Sequence, residues 1–222
     1  MKVDILAIGV HPDDVELSCS GTLAKHIAMG KTAGILDLSR GELGTRGNAD
    51  LRTKEATASA KLLGVSFRTQ LNFKDGFFSN DESHQREIIS VIRRHQPDIV
   101  LCNAINDRHP DHGRAAKLAA DACFYSGLAK IETVDEHKAQ TSWRPKAVYH
   151  YVQDHFIHPD FVIDITDHFE TKLEALLKHQ PSQFDQWDPR PMLEQWSGES
   201  GKVIGVKYAE TFRKFVLNEL EN

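Results

Sequence analysis

The amino-acid sequence predicts an α/β fold of the Rossmann-like, doubly wound type: a mostly parallel sheet flanked by helices. Three observations predict it. Short apolar runs alternate with stretches of helical periodicity over the first ~125 residues, the pattern of repeated strand–helix units. The first run, residues 3–10 (VDILAIGV), is apolar almost throughout, as a strand buried on both faces must be. Glycine or proline marks many of the changes of pattern.

The elements follow in order. Residues 18–29 carry helical periodicity through Leu23, Ile27 and Met29, with Gly30 as the stop. Residues 32–38 (TAGILDL) read as the second strand, and residues 39–48 as a polar loop holding Gly41, Gly44 and Gly47. Residues 49–63 are Ala-rich and helical, stopped by Gly64; residues 65–71 are a weaker third strand. After the Asp75-Gly76 turn, residues 82–95 form a helix with Ile88, Ile89, Val91 and Ile92 inward, ended before Pro97. Residues 98–102 (DIVLC) are the fourth strand, and residues 113–124 are helical. Two later strands fall at 147–152 and 161–165. An amphipathic helix at 166–178 rests on Phe169, Leu173, Leu176 and Leu177. Residues 181–200 hold three prolines and predict irregular structure or a short helix; residues 203–220 predict a last helix. One domain over residues 1–222 is expected, with the chain from about residue 145 extending the sheet and closing over the pocket.

Composition narrows the function. With 40% hydrophobic and 27% charged residues, the chain is neither disordered nor membrane-embedded. A net charge of -5 argues against nucleic acid as a partner, which would need clustered Lys and Arg. The apolar run ending at Val10 is too short for a signal core or a membrane span. Cys19, Cys102 and Cys123 are far apart and form no CxxC, so buried reduced thiols in a cytoplasmic protein are expected. Twelve histidines direct attention to metal binding and acid–base chemistry.

Topology selects among them. With strand order 3-2-1-4-5, the first and fourth strands are neighbours across the switch point, and ligands bind beyond their carboxyl ends. After the first strand comes His11-Pro12-Asp13-Asp14; the loop after the fourth ends His109-Pro110-Asp111-His112. Two His/Asp clusters distant in sequence are thus expected in one crevice. No glycine lies between Val10 and Ser20, so there is no phosphate cradle, and two carboxylates would repel a pyrophosphate.

A catalytic metal fits instead. His11 and Asp14, three apart, share one side of a helical turn, and Pro12 suits its start. A nitrogen from His109 or His112 completes a His₂Asp set, and three protein ligands plus water make a catalytic zinc site. Spacing does not choose between these two histidines; the other becomes an acid–base or oxyanion group. Asp13 points off the ligand face, as does the general base of helical zinc proteases. A free carboxylate beside a metal-activated water points to hydrolysis of an amide or ester. Plainer readings make Asp13 and Asp14 helix caps, and His109 and His112 surface residues. A third His-Pro-Asp, at His158, precedes a strand and is expected at the opposite end of the sheet in a structural or surface role.

These motifs and their flanks resemble the LmbE-like (PIG-L) family of zinc-dependent N-acetylglucosaminyl deacetylases. The blocks VHPDDVELSCSGTLAKHIAMGK, LDLSRGELGTRG, NDRHPDHGRAAKLAADACF, RPKAVYHYVQD and GVKYAETF look like its bacillithiol-biosynthesis branch and span nearly the whole chain. The resemblance implies removal of the acetyl group from N-acetylglucosaminyl malate, a small glycoside, by a homo-oligomer, with a hexamer as the expected assembly. It implies zinc, or another divalent ion such as Fe2+, on His11, Asp14 and His112. It implies Asp13 as general base and His109 as the group that stabilises the tetrahedral intermediate, with either Asp13 or His109 protonating the leaving amine. It places Glu42, Arg46, Arg52 and Asp75 against the sugar and its malate; guanidinium forks suit the carboxylates. Arg52 has an alternative partner in Glu55. Asp107 stands where some relatives carry a tyrosine. The alternatives are an amidase for bacillithiol S-conjugates, a deacetylase of another N-acetylglucosamine compound, or a non-catalytic metal-containing sugar-binding protein.

Overall fold

A computed structural model describes residues 1–177 and 180–215. The chain runs β1 (Ile5–Gly9), α1 (Asp14–Ser18), α2 (Ser20–Ala28), β2 (Ala33–Asp37), α3 (Ala49–Leu63), β3 (Phe67–Gln70), α4 (Glu82–His95) and β4 (Ile99–Cys102). It continues through α5 (Pro110–Tyr125), a ribbon of β5 (Val134–Asp135) and β6 (Lys138–Ala139), then β7 (Ala147–Tyr151) and β8 (Phe161–Asp164). It closes with α6 (Phe169–Leu177), α7 (Arg190–Lys202) and β9 (Ala209–Lys214).

Seven strands form one sheet in the order β3-β2-β1-β4-β7-β9-β8. The first five are parallel; β9 runs antiparallel to both β7 and β8. This is the doubly wound class, with β1 and β4 paired at the reversal of strand order. Strand alternation divides the core into two layers. Leu6 and Ile8 of β1 pack with Ile88, Ile92 and Leu118 of α4 and α5. Ile5 and Ala7 face the other way, onto Val15, Leu23, Leu63 and Ala175 of α1, α2, α3 and α6. Burial on both faces explains why β1 lacks a polar alternation.

Helix ends follow local chemistry. The Asn48 side chain caps α3 by accepting from Leu51 N (2.9 Å), and Gly64 ends it at φ 73°. Asp81 caps α4 through His84 N (3.1 Å). The helix expected at 18–29 corresponds to α2 over 20–28, and a further short helix, α1, precedes it over 14–18, the two separated at Cys19. That at 166–178 opens with a 3-10 turn over 166–168, and its Lys178 lies outside the described residues. No helix among the described residues is long and apolar enough to cross a membrane.

The C-terminal expectations need correction. The segment expected to be irregular or a short helix carries α7, of 13 residues. The helix expected at 203–220 is not formed over its described part: Gly205 at φ 74° breaks the chain, and residues 209–214 are the strand β9. Residues 216–220 of that expectation lie outside the described residues. The reason is tertiary, since β9 is held between β7 and β8 on both edges.

The third His-Pro-Asp is also relocated. Tyr151 and Phe161 both lie opposite Phe212, so β8 begins level with the end of β7. His158 therefore lies beside β9, where its carbonyl accepts from Arg213 Nη1 (2.8 Å), rather than at the far end of the sheet. Its ring is exposed, edge-on to Phe156 at 5.1 Å. His158→Ala should leave metal content unchanged by elemental assay, and loss of metal would refute this placement.

Candidate active site

The crevice beyond β1 and β4 brings both clusters together. Candidate ligand atoms of His11, Asp14 and His112 all lie within 4.8 Å of one another, and all three residues are buried. Asp14 is the centre of the group. Its Oδ2 accepts from Val10 N (2.9 Å), His11 N (3.0 Å) and Asn103 Nδ2 (2.9 Å). Its Oδ1 faces His112 Nε2 at 3.1 Å and Gln153 Nε2 at 3.3 Å. Three donors on Oδ2 leave Oδ1 as the oxygen for a cation.

Each histidine is aimed by a second carboxylate. His11 Nε2 donates to Asp75 Oδ1 (3.0 Å), turning Nδ1 toward Asp14. His112 Nδ1 donates to Asp107 Oδ2 (2.6 Å), turning Nε2 toward Asp14. Such outer carboxylates set the tautomer and raise ligand basicity. Burial opposes charge on His112, yet Asp14 and the hydrogen bond to Asp107 outweigh it and hold the pKa up to about 10. The donor set of two imidazoles and one carboxylate, held and oriented in advance, fits a catalytic divalent metal.

Two outcomes follow. A metal must displace the His112 proton, so apparent metal affinity should rise with pH, about tenfold per unit across neutrality for each proton released. Metal titrations at several pH values check it; a flat response excludes His112. Asp75→Asn should weaken metal binding about 10–100-fold while preserving the fold, by metal titration and circular dichroism.

Asp13 stands apart from this group. It occupies the N-cap position of α1 but makes no capping hydrogen bond. Its Oδ1 is 3.1 Å from Arg52 Nη2, and its side chain borders the cavity. Arg52 is 5% exposed and also donates to Gly41 O (3.0 Å). Gly41, at φ 64°, makes that approach possible: a Cβ there would fall 1.9 Å from Arg52 Nη1. Glu55 is not the partner of Arg52; it accepts from Ser182 N (2.9 Å) and Ser182 Oγ (2.6 Å).

His109 caps α5, its Nδ1 accepting from Asp111 N (3.2 Å), with Pro110 at the first helical position. In that tautomer Nε2 carries the hydrogen. Burial first, then the neighbouring His11 and His112, push its pKa down, so it is held as a neutral donor. Its ring lies 4.8 Å from that of His11 and 5.0 Å from that of His112.

The sugar-contact candidates are arranged differently from the metal group. Glu42 is exposed and accepts from Asp75 N (2.9 Å). Asp75 is 4% exposed, its oxygens turned to His11 and to Leu43 N (3.0 Å). Arg46 donates to Gln183 O (2.7 Å) and lies 3.8 Å from Asp185. None of these three lines the cavity, whereas Asp13, His109 and the three candidate ligands do. That cavity, of about 340 Å³, is also lined by Phe184, Trp187, Met192 and Trp196. Among the described residues, Arg108 is the only Arg or Lys in its lining, paired with Asp154 at 3.2 Å.

Four polar residues here have roles that the sequence did not assign. Asp107 carried a local signal, an acid five residues before a candidate ligand. Asp111, within the second motif, accepts from Gly76 N (2.8 Å) and Arg114 Nη1 (2.6 Å). Asn103 and Gln153 reach Asp14 from 89 and 139 residues away, and no local pattern marks them. Glu16 is a further buried acid: Arg68 holds it together with Asp37, tying α1 to β2 and β3.

A group that could hold a metal, beside a carboxylate at the cavity and at the switch point of a doubly wound sheet, suits a hydrolase of amide bonds. The chain belongs to the PIG-L family, described as GlcNAc-PI de-N-acetylase, whose pattern matches residues 6–123. It is 32% identical over 223 residues to the diacetylchitobiose deacetylase of Thermococcus kodakarensis, covering 94% of this chain and 82% of the relative. Its structure resembles that of a conserved protein of Thermus thermophilus, with a TM-score of 0.88 at 33% identity, over 98% of this chain and 97% of the other. It also resembles the N,N'-diacetylchitobiose deacetylase of Pyrococcus horikoshii, with a TM-score of 0.82 at 29% identity, over 95% and 83% of the two chains.

Proposed function

We propose that this enzyme removes the acetyl group from an N-acetylglucosaminyl glycoside, with zinc on His11, Asp14 and His112. N-acetylglucosaminyl malate is the first substrate to test, as the bacillithiol-branch motifs imply. Asp13 beside the His–Asp–His group is the observation that carries the reading. A divalent metal held there would supply Lewis acidity, making a nearby water more acidic and polarising the acyl carbonyl.

The protein's own groups divide the remaining work. Arg52 takes Oδ1 of Asp13, which leaves Oδ2 without a hydrogen-bond partner among the described residues. That oxygen accepts the proton of the attacking water. The Nε2–H of His109 donates to the developing oxyanion. His109 is held neutral, so the proton taken up by Asp13 is the one delivered to the amine. The C–N bond then breaks, giving acetate and the free amine. Arg108, the cation of the lining, supports the choice of a glycoside bearing a carboxylate. Glu42 and Arg46 remain candidates for sugar contacts through the loops that carry them.

Three ligands rather than four favour catalysis over a structural metal in a sugar-binding protein. Three buried free thiols suit a reducing compartment, and we place the enzyme in the cytoplasm as a homo-oligomer. The deciding experiment couples a metal assay to acetate release from N-acetylglucosaminyl malate. Preference for a bacillithiol S-conjugate would overturn the deacetylase reading in favour of the amidase. Binding without turnover of either would favour the sugar-binding protein.

A further inference from the structure

Residues 180–187 lie between α6 and α7 in the chain, and three ties hold the first half of this segment. Gln180, 1% exposed, donates from Nε2 to Pro12 O, the carbonyl of the peptide that leads into Asp13. Ser182 donates from both N (2.9 Å) and Oγ (2.6 Å) to the carboxylate of Glu55 on α3. Arg46 Nη1 donates to Gln183 O (2.7 Å), and Gln183 Nε2 donates back to Arg46 O (3.3 Å). Pro181 opens a 3-10 turn over 181–183 and stiffens the segment further. The second half carries Phe184 and Trp187 into the lining of the catalytic cavity, their rings edge-on at 5.5 Å.

Glu55 is the unexpected member of this set. It is buried on α3 beside Ala56, Ala60 and Leu63, where packing alone calls for an apolar residue. Burying a carboxylate is costly unless it is hydrogen-bonded, and the two oxygens of Glu55 take the two donors of Ser182. Hydrogen bonds to a charged acceptor are strong, and two of them fix the orientation of Ser182 as well as its position. Arg52 lies one turn earlier on the same helix and so on the same side. Its Nη2 is 3.1 Å from Asp13 Oδ1. One helix therefore holds the carboxylate at the cavity through Arg52, and the segment that supplies two of the cavity's aromatic rings through Glu55.

We propose that Glu55 is a positioning residue for substrate binding. Through Ser182 it sets where Phe184 and Trp187 stand in the cavity, and α3 keeps those rings in a fixed relation to Asp13. The rings meet the apolar C–H surface of the glycoside, a contact made in the ground state and the transition state alike. Losing such a contact raises KM and leaves kcat unchanged. This rests on the deacetylase reading above.

The test measures KM and kcat for acetate release from N-acetylglucosaminyl malate and N-acetylglucosamine, beside metal content and thermal unfolding. Glu55→Ala should raise KM at least about tenfold with kcat within about twofold and metal content unchanged. Glu55→Gln should stay within about threefold of the native KM, because its amide oxygen accepts from Ser182 N and its amide nitrogen donates to the Ser182 hydroxyl oxygen. Ser182→Ala keeps the backbone tie and should raise KM by an intermediate amount; it carries the test if Glu55→Ala fails to fold. In a background of Phe184→Ala with Trp187→Ala, Glu55→Ala should change KM by less than about threefold, since the rings it acts through are gone. A native KM in folded Glu55→Ala would overturn the proposal, as would a fall in kcat at unchanged KM. So would a full effect of Glu55→Ala in the ringless background, or a Glu55→Gln variant as impaired as Glu55→Ala. Native enzyme that releases no acetate from either substrate would overturn the deacetylase reading itself, and this proposal with it.

Discussion

Asp13→Asn should lower acetate release by about a thousandfold while leaving metal content stoichiometric. The substitution is nearly isosteric and removes one charge. Asp13 makes no capping bond to α1, so the helix loses nothing at its start. Arg52, 3.1 Å from Oδ1, retains an acceptor in the asparagine carbonyl. What disappears is the ability to take a proton from water. Acetate release measured beside elemental analysis reads both halves of the expectation. Near-native turnover would place the base elsewhere, and loss of metal would make Asp13 a ligand.

Asp14→Ala should abolish tight metal binding and also destabilise the fold by a few kcal/mol. The second effect comes from hydrogen bonds. Val10 N and His11 N both donate to Oδ2 of a side chain that is almost fully buried. An orphaned buried donor costs about 1–3 kcal/mol. His112 also loses the carboxylate that most favours its charged form. Asp14→Asn keeps an acceptor oxygen, so it should retain most of the stability and still lose metal affinity. Calorimetric metal titration and urea unfolding separate the two effects. A stable, metal-loaded alanine variant would remove Asp14 from the site.

The two variants separate residues that are adjacent in sequence and alike in chemistry. One carboxylate faces inward against three donors; its neighbour faces the cavity against a guanidinium. Helical geometry made this division legible beforehand, because consecutive residues on a turn cannot share a face. Choosing between His109 and His112 was not a local matter. His109 spends its Nδ1 on capping α5, whereas the Nδ1 of His112 is held by Asp107.

The strands and most helices were legible for the same kind of reason. An apolar run such as residues 3–10, or Gly64 after an Ala-rich stretch, states its conformation within a few residues. Reading failed at β9, whose residues 209–214 follow a break at Gly205. Glu210 is buried there only because Lys172 and the start of α2 receive its carboxylate. Nor did it reveal that Asp75, which the family pattern assigned to the sugar, hydrogen-bonds His11 from 64 residues away.

By itself, then, the sequence determined the class of fold, the crevice in which the candidate site lies, and the two motifs that meet there. Each of these follows from short-range periodicity and from one rule of strand order. Only the tertiary structure decided which carboxylate holds which histidine, which guanidinium holds Asp13, and that Gln153 and Asn103 support Asp14. Those partners come from separate loops brought together at the carboxyl ends of the strands. A hydrogen bond depends on distance in space, and spacing along the chain does not encode it.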